Sequence, residues 1–500
     1  MLRSPLPYSL RALCAAILLG LAVVPARAAT TAPVVPVAPA APVIPAARVS
    51  LADFGGKPDG ETLNTVAFAR ALAALSEKGG GTLVVPPGIW LTGPIELRSR
   101  VRLQVDAGAL IQFSRDTTLY PVRVFDARGE KMVHSTSPLF GEKLEDVAIT
   151  GSGVIDGGGD AWRLVKKAKV TEAFWKTLVA SGGVLNAKGV EWWPSQVAMD
   201  GAKAVEALEK QGSINPADYA PHQIFLRPRL LRLLDCRRVL IEGVIFRNAP
   251  NWTLHPWLCE DVTLRDVKIF NEHWAQNSDA MDIDSCRRVH VRGCIINTGD
   301  DGLCIKSGMN ASGRRIGVPT EDVLIEDCVV YEAHGGFTIG SEMSGGVRNV
   351  LVRNCTFIGT DLGLRFKTAR GRGGVVENIH IQGIRMTDIA DSAIDFNFLY
   401  ASNGKPAEAV PEPNEGTPTF RNILIEDVLA RDCDGSITMR GLPEMPLRNI
   451  TLRNVSIAAK NGADLAYCDN INFDGVRIHQ ASGEPIQTKA VTNSRLELAR

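Results

Sequence analysis

Four short stretches of this 500-residue chain place acids and cations in a common frame: SDAMDIDS (278–285), DDGLCIKS (300–307), HGGFTIGS (334–341) and DLGLRFKT (361–368). Aligned on their Ile/Phe-x-Ser/Thr step, Ser278, Asp300, His334 and Asp361 share one column, and Asp279 and Asp301 share the next. Arg365 falls in the column of Asp282 and Cys304, while Lys306 and Lys367 fall in that of Asp284. If the stretches lie side by side, one face gathers Asp279, Asp300, Asp301, His334, Arg365 and Lys367. Like carboxylates in adjacent positions raise one another's proton affinity, so one acid stays protonated while its neighbours are ionised. Glycoside hydrolysis needs that division: an acid for the leaving oxygen and a carboxylate to activate water or attack carbon. Arg365 and Lys367 suit a substrate that itself carries carboxylates. Singly, an Asp pair after Gly299 is commonly a turn, and His334 before two glycines can cap a bend. The shared register is what points to function.

The elements that hold such a register are visible as a repeat. A ten-residue phrase recurs nine times, starting at 237, 260, 287, 321, 348, 377, 421, 448 and 469, as in RRVLIEGVIF, EDVLIEDCVV and RNITLRNVSI. Counting its first residue as zero, positions two and four are always apolar, the alternation of one strand face. Position six is always Gly, Asp or Asn, the types that tolerate a sharply bent backbone. Each copy therefore reads strand, bend, strand. Stacked at ~4.8 Å, such copies make an all-β fold, a right-handed single-stranded parallel β-helix; helical solenoids and β-propellers fail on periodicity.

Composition is that of an ordinary globular chain: 45% hydrophobic, 6% aromatic, and 55 basic against 55 acidic residues. The missing basic excess argues against a nucleic-acid partner. Residues 1–28 read as a signal peptide, with Arg3 and Arg11 before an apolar run, Leu13–Val24, too short to span a bilayer, and Ala26-Arg27-Ala28 as the cleavage site. The mature chain is thus expected to be exported, to the periplasm or beyond, with no membrane anchor and a charge of −3. Residues 29–48 read as an Ala/Pro-rich extended spacer. Nine cysteines remain after residue 28; Cys294, Cys328 and Cys355 occupy position seven, where other copies carry Val or Ile, and read as buried thiols, although export permits disulfides. No zinc-site spacing occurs, and neither a metal nor another cofactor is expected.

At the chemical stretches the sequence resembles the polygalacturonases of glycoside hydrolase family 28. The motifs are Asn277-Ser278-Asp279, Gly299-Asp300-Asp301, His334-Gly335 and Arg365-Phe366-Lys367, preceded by ADFGGKPDGETLNT (52–65) and GGGTLVVPPGIWLTGPIEL (79–97). The departures are Ser278, Ala333 and Phe366 where the family carries Thr, Gly and Ile. The resemblance implies an inverting hydrolase of α-1,4-galacturonosyl bonds in pectin, with a pectic polysaccharide or oligogalacturonide as its partner and a monomeric state. It also implies roles: Asp300 as general acid, Asp279 and Asp301 holding the water, His334 tuning the acid, and Arg365 with Lys367 binding carboxylates. Asn277, Lys306 and Tyr400 complete the expected substrate-binding set.

The catalytic β-helix is expected over 49–500, with two interruptions. Residues 160–222, with helical spacing and half of the chain's eight tryptophans, read either as a packed helical cap or as a wall that closes the groove. Together with GSEMSGGV (340–347), similar to exo-acting members, the wall reading favours exo action. Residues 401–419 read as a Pro-rich surface loop; just before it, Phe396 and Phe398 suit sugar stacking or the core. Alternatives are a rhamnogalacturonan or xylogalacturonan hydrolase, a calcium-dependent β-helical pectate lyase, and a non-catalytic carbohydrate-binding β-helix.

Overall fold

Each phrase folds as two strands around a bend. The residues at its second and fourth positions, from Val239 and Ile241 to Ile471 and Phe473, are at most 2% exposed. All nine bend residues, Gly243 through Gly475, lie in the left-handed region with φ between 49° and 77°. The computed structural model describes residues 36–400 and 410–499, within a compact unit spanning Val34–Arg500. The expected signal peptide, 1–28, and the start of the expected spacer lie outside the described residues.

Successive copies pair in parallel and in register, Val239 to Val262 to Val289 to Val323 to Val350, and so on through one 30-stranded sheet coiled on itself. The architecture is a right-handed parallel β-helix. It extends beyond the nine phrases: Glu145–Gly151 pairs with the copy at 237, Val147 opposite Val239, and Val101–Val105 forms a further rung. Val105 stands where the bend residue belongs, so that coil escapes the sequence pattern.

A second left-handed residue recurs at position one of every copy, from Arg238 to Asn470, with φ of 54–58°. A ladder of side-chain bonds supports it. Arg238 donates to Asp146 at 2.7 Å, Arg288 to Asp261 at 2.8 Å, Asn349 to Asp322 at 3.1 Å and Asn449 to Asn422 at 3.1 Å. Residues 36–47 run alongside without regular structure, Val43 N–H donating to Asp146 and Ala40 N–H to Asp261. That segment of the spacer is therefore docked on the coils.

Helix Thr65–Glu77 adds Phe68, Ala71, Leu72 and Leu75, one face at helical spacing, to the core of the first coils. Burying each of the larger ones contributes roughly 1.5–3 kcal/mol. All nine cysteines among the described residues are buried and free. Beside the Cys294, Cys328, Cys355 column runs a second, Cys236, Cys259 and Cys286, at the position just before the phrase.

The 160–222 interruption is not wholly helical. Helices Glu172–Ala180, Gln196–Lys210 and Pro216–Tyr219 are joined by a three-stranded antiparallel sheet of Val165–Lys166, Val184–Leu185 and Glu191–Trp193. Thr171 and Ser195 cap the first two helices, each hydroxyl accepting a backbone N–H three residues on. Trp162 packs edge-on against Tyr120, and Trp175 and Trp192 bury against Trp274, so these three rings hold the insertion together. The expected loop 401–419 ends earlier: 401–409 lie outside the described residues, 410–418 are irregular, and Thr419 opens a strand. Phe396 and Phe398 belong to the core, Phe396 stacked on Phe366 at 4.1 Å.

Candidate active site

The strands Met281–Asp284, Leu303–Lys306, Gly335–Ile339 and Leu362–Lys367 lie on consecutive coils and pair directly. Asp282 is opposite Cys304, Cys304 opposite Thr338, and Thr338 opposite Arg365. Ile283, Ile305, Ile339 and Phe366 point into the core between these outward residues. The alternation of the pleat therefore puts Asp282, Asp284, Lys306, Thr338, Arg365 and Lys367 on one face, with Cys304 among them.

Asp279, Asp300 and Asp301 each bring a carboxylate oxygen within 4.8 Å of the others. Asp301 is fully buried; its Oδ1 accepts from Arg365 at 2.9 Å and its Oδ2 from Lys367 at 2.7 Å. Burial alone would raise this carboxyl, but Lys367 and Arg365 overcome burial and hold Asp301 well below the usual carboxylate range. Asp279 is moved the opposite way, well above that range, by burial and then by the charges of Asp300 and Asp282. Burial and its neighbours thus push Asp279 towards the protonated form, and the two cations push Asp301 towards the ionised one. Asp300 is half-buried, accepting from the Asn277 N–H at 3.3 Å and from the Asp301 N–H at 3.0 Å.

His334 joins Asp300 through its backbone, its N–H donating to the Asp300 carbonyl, and its Nδ1 meets Asp361 at 2.7 Å. That hydrogen bond holds Asp361 below its ordinary value. Tyr400 covers both cations, with Lys367 5.0 Å and Arg365 5.6 Å from its ring centre. Asn277 is at the site, but its amide oxygen is taken by Arg227 at 2.7 Å. Lys306, expected among the substrate cations, is 2% exposed, and its ammonium faces Glu342 at 3.1 Å, Asp282 at 3.4 Å and Asp279 at 3.9 Å. It balances buried acids.

Several residues of the site escaped the sequence reading. Asp282 has both oxygens buried without a hydrogen-bond partner, and burial, opposed by Lys306 and reinforced by Asp301, pushes it up to about 8. Its place in the column of Arg365 was the available signal. Glu342, from the stretch after His334, is held at about 2, burial being outweighed by Lys306 and Lys367. Lys169 reaches from the insertion to the Gly299 carbonyl at 3.5 Å, and nothing in its sequence setting marks it.

Among the described residues two donor sets are close enough for a cation, Asp279 with Asp282 and Cys304, and Asp279 with Asp300 and Asp301. In the second, an oxygen cage would suit a hard ion, but Arg365 and Lys367 already occupy both oxygens of Asp301. The first mixes a thiol with two acids beside an ammonium, a poor match for a hard ion.

The family model of glycosyl hydrolases family 28 matches residues 165–483, which include all of these groups. The chain belongs to glycoside hydrolase family 28. This family 28 hydrolase is similar to a probable polygalacturonase of Vitis vinifera, 29% identical over 82% of this chain and 74% of that protein. It is 26% identical to an exo-poly-alpha-D-galacturonosidase of Dickeya chrysanthemi, over 78% of this chain and 63% of the relative. Among solved structures, an exopolygalacturonase from Thermotoga maritima superposes with a TM-score of 0.75 at 32% identity, covering 90% of this chain and 95% of that one.

Proposed function

We propose that this family 28 hydrolase cleaves α-1,4-galacturonosyl bonds of pectin, with inversion, from the chain end. The observation that carries the reading is the doubly ion-paired Asp301 between Arg365 and Lys367, next to the buried Asp279 and the more open Asp300. Asp300, least buried of the three, donates the proton to the leaving oxygen. Asp279 and Asp301 hold the attacking water jointly: as the proton of Asp300 passes to the leaving oxygen and the glycosidic bond breaks, the water oxygen bonds to the anomeric carbon and its proton passes to the charged Asp301. The cations Arg365 and Lys367, under Tyr400, bind the uronate carboxylate. His334, fixed by Asp361, lies against Asp300 and tunes it.

The three acids are closer than the usual spacing of an inverting pair. Covalent attack is nonetheless disfavoured, because both oxygens of Asp301 are committed to cations and burial disfavours the ionised form of Asp279. Exo action is supported by Lys169, which brings the insertion against the Gly299 carbonyl beside the acids, and by the exo-acting names among the relatives. A lyase reading requires a divalent cation at the acids, where three ammonium or guanidinium groups already stand. The signal-like N-terminus supports export.

The test is a product profile on de-esterified polygalacturonate, with the first-formed anomer read by proton NMR. Early monomer in the β form is expected. A ladder of oligomers would overturn exo action, and an initial α product would overturn inversion.

A further inference from the structure

Most arginines along the coils are neutralised. Arg238, Arg265, Arg288, Arg348 and Arg421 each reach a carboxylate within 2.8 Å. Arg227, Arg229 and Arg232, in the segment that leaves the insertion, make no ion pair among the described residues. Arg227 donates to the Gln276 carbonyl at 2.9 Å and to the Asn277 amide oxygen. Arg229 donates to His134 Nε2 at 2.6 Å and lies 4.5 Å over the Trp252 ring, and its Nε is buried without a partner. Arg232 is 1% exposed, packed over Phe125 at 4.3 Å, with Nε and Nη1 both unpartnered. His134 Nδ1 is likewise buried and unpartnered. Arg232 is buried and Arg227 and Arg229 half-buried with no carboxylate of the described residues in contact, an arrangement that is costly unless a ligand supplies the charge.

The cluster borders the acids. Asn277, held by Arg227, gives its N–H to Asp300, and Trp252, under Arg229, also carries Lys306 at 4.6 Å. By coil order Arg232 is opposite His255, whose rung precedes that of Asp282, whereas Arg365 comes three rungs after Asp282. The two sets of cations therefore flank the acids along the solenoid.

We propose that Arg227 and Arg229, backed by Arg232 and His134, form a second uronate-carboxylate subsite on the N-terminal side of the acids, so that the substrate is gripped by charge on both sides of the bond being cleaved. The proposal rests on the pectic reading above. The insertion delivers this segment to the groove, with Phe225 and Leu226 packed against Val205 and Tyr219, so the subsite belongs to its walled end.

The experiment measures calorimetric binding of trigalacturonate and of its fully methyl-esterified form to the full-length Asp300→Asn protein. Arg227→Met and Arg229→Met are then introduced together, with Arg229→Lys as a charge-keeping control. The expected result is that the acid loses about tenfold or more in affinity on the double substitution while the ester changes by less than about twofold, and that Arg229→Lys keeps most of the difference. An unchanged preference for acid over ester, or an equal loss of both ligands, would overturn the subsite. If the Asp300→Asn protein binds neither ligand, the pectic reading itself fails and the subsite with it.

Discussion

Asp301 and Lys367, 66 residues apart in sequence, meet at 2.7 Å inside the site. With Arg365 on the other oxygen, Asp301 stays charged without help from substrate. A uronate carboxylate arriving at Lys367 and Arg365 must share these cations with Asp301. Binding therefore loosens the grip on Asp301 and makes it a stronger base at the moment a water has to be activated.

Replacing Lys367 by Met should show this directly. Asp301 then loses one of the two charges that depress it, its pKa rises towards the ordinary value, and the ionised form is lost at a higher pH. The acid limb of the kcat/KM profile is expected to move up, with KM raised about tenfold. A profile with an unmoved acid limb would separate Asp301 from the reaction.

Asp300→Asn keeps shape and removes the transferable proton. Turnover should fall by at least about a thousandfold, measured as reducing ends released, while calorimetry still detects oligogalacturonide. Retained turnover would sink the role given to Asp300.

The raised Asp282 carries the opposite sign from a salt-bridged acid. Folded, it titrates near 8; unfolded, near the ordinary 3.9. Between those values the folded protein holds a proton that the unfolded chain has released. The contribution is complete at pH below 4, is lost as pH rises towards 8, and is absent above it. Asp282→Asn should therefore flatten the fall in melting temperature between pH 5 and pH 9, by the equivalent of at least about 1 kcal/mol. Parallel curves for parent and variant would show that Asp282 is not protonated in the fold.

EDTA should leave initial rates unchanged, and no ultraviolet-absorbing unsaturated product should form. Inactivation by chelation that calcium restores would favour the lyase chemistry.

Cys328→Val places in the fourth copy of that column the residue carried three and two coils earlier at Val244 and Val267. Stability to urea should change by less than about 1.5 kcal/mol, and reductant should not lower the melting temperature of the parent.

What repeats was legible. Nine phrases announced their inward positions and bends because each copy is an independent statement of the same constraint, and the register of Asp279, Asp300 and Arg365 followed from it. What occurs once was harder. Helix Thr65–Glu77 carries an ordinary apolar stripe, and the short sheet around Trp192 is visible only through its partners. The left-handed residues at position one include Arg238 and Arg288, types that do not advertise such a backbone; the cross-coil bonds to Asp146 and Asp261 hold them. Arg227 and Arg229 escaped because an arginine without an acid looks the same in sequence as one with a partner.

The two left-handed residues in each phrase also decide which genetic changes the enzyme tolerates. They fix where the chain turns, so deleting a single residue inside a rung, such as Cys304, would turn Lys306 inside and expel Ile305. Extra residues at a corner, such as the segment 308–319 between two rungs, leave the pleat on either side untouched. Lineages of this enzyme should therefore diverge by lengthening corners and adding whole turns, while the length of each rung at the site stays constant.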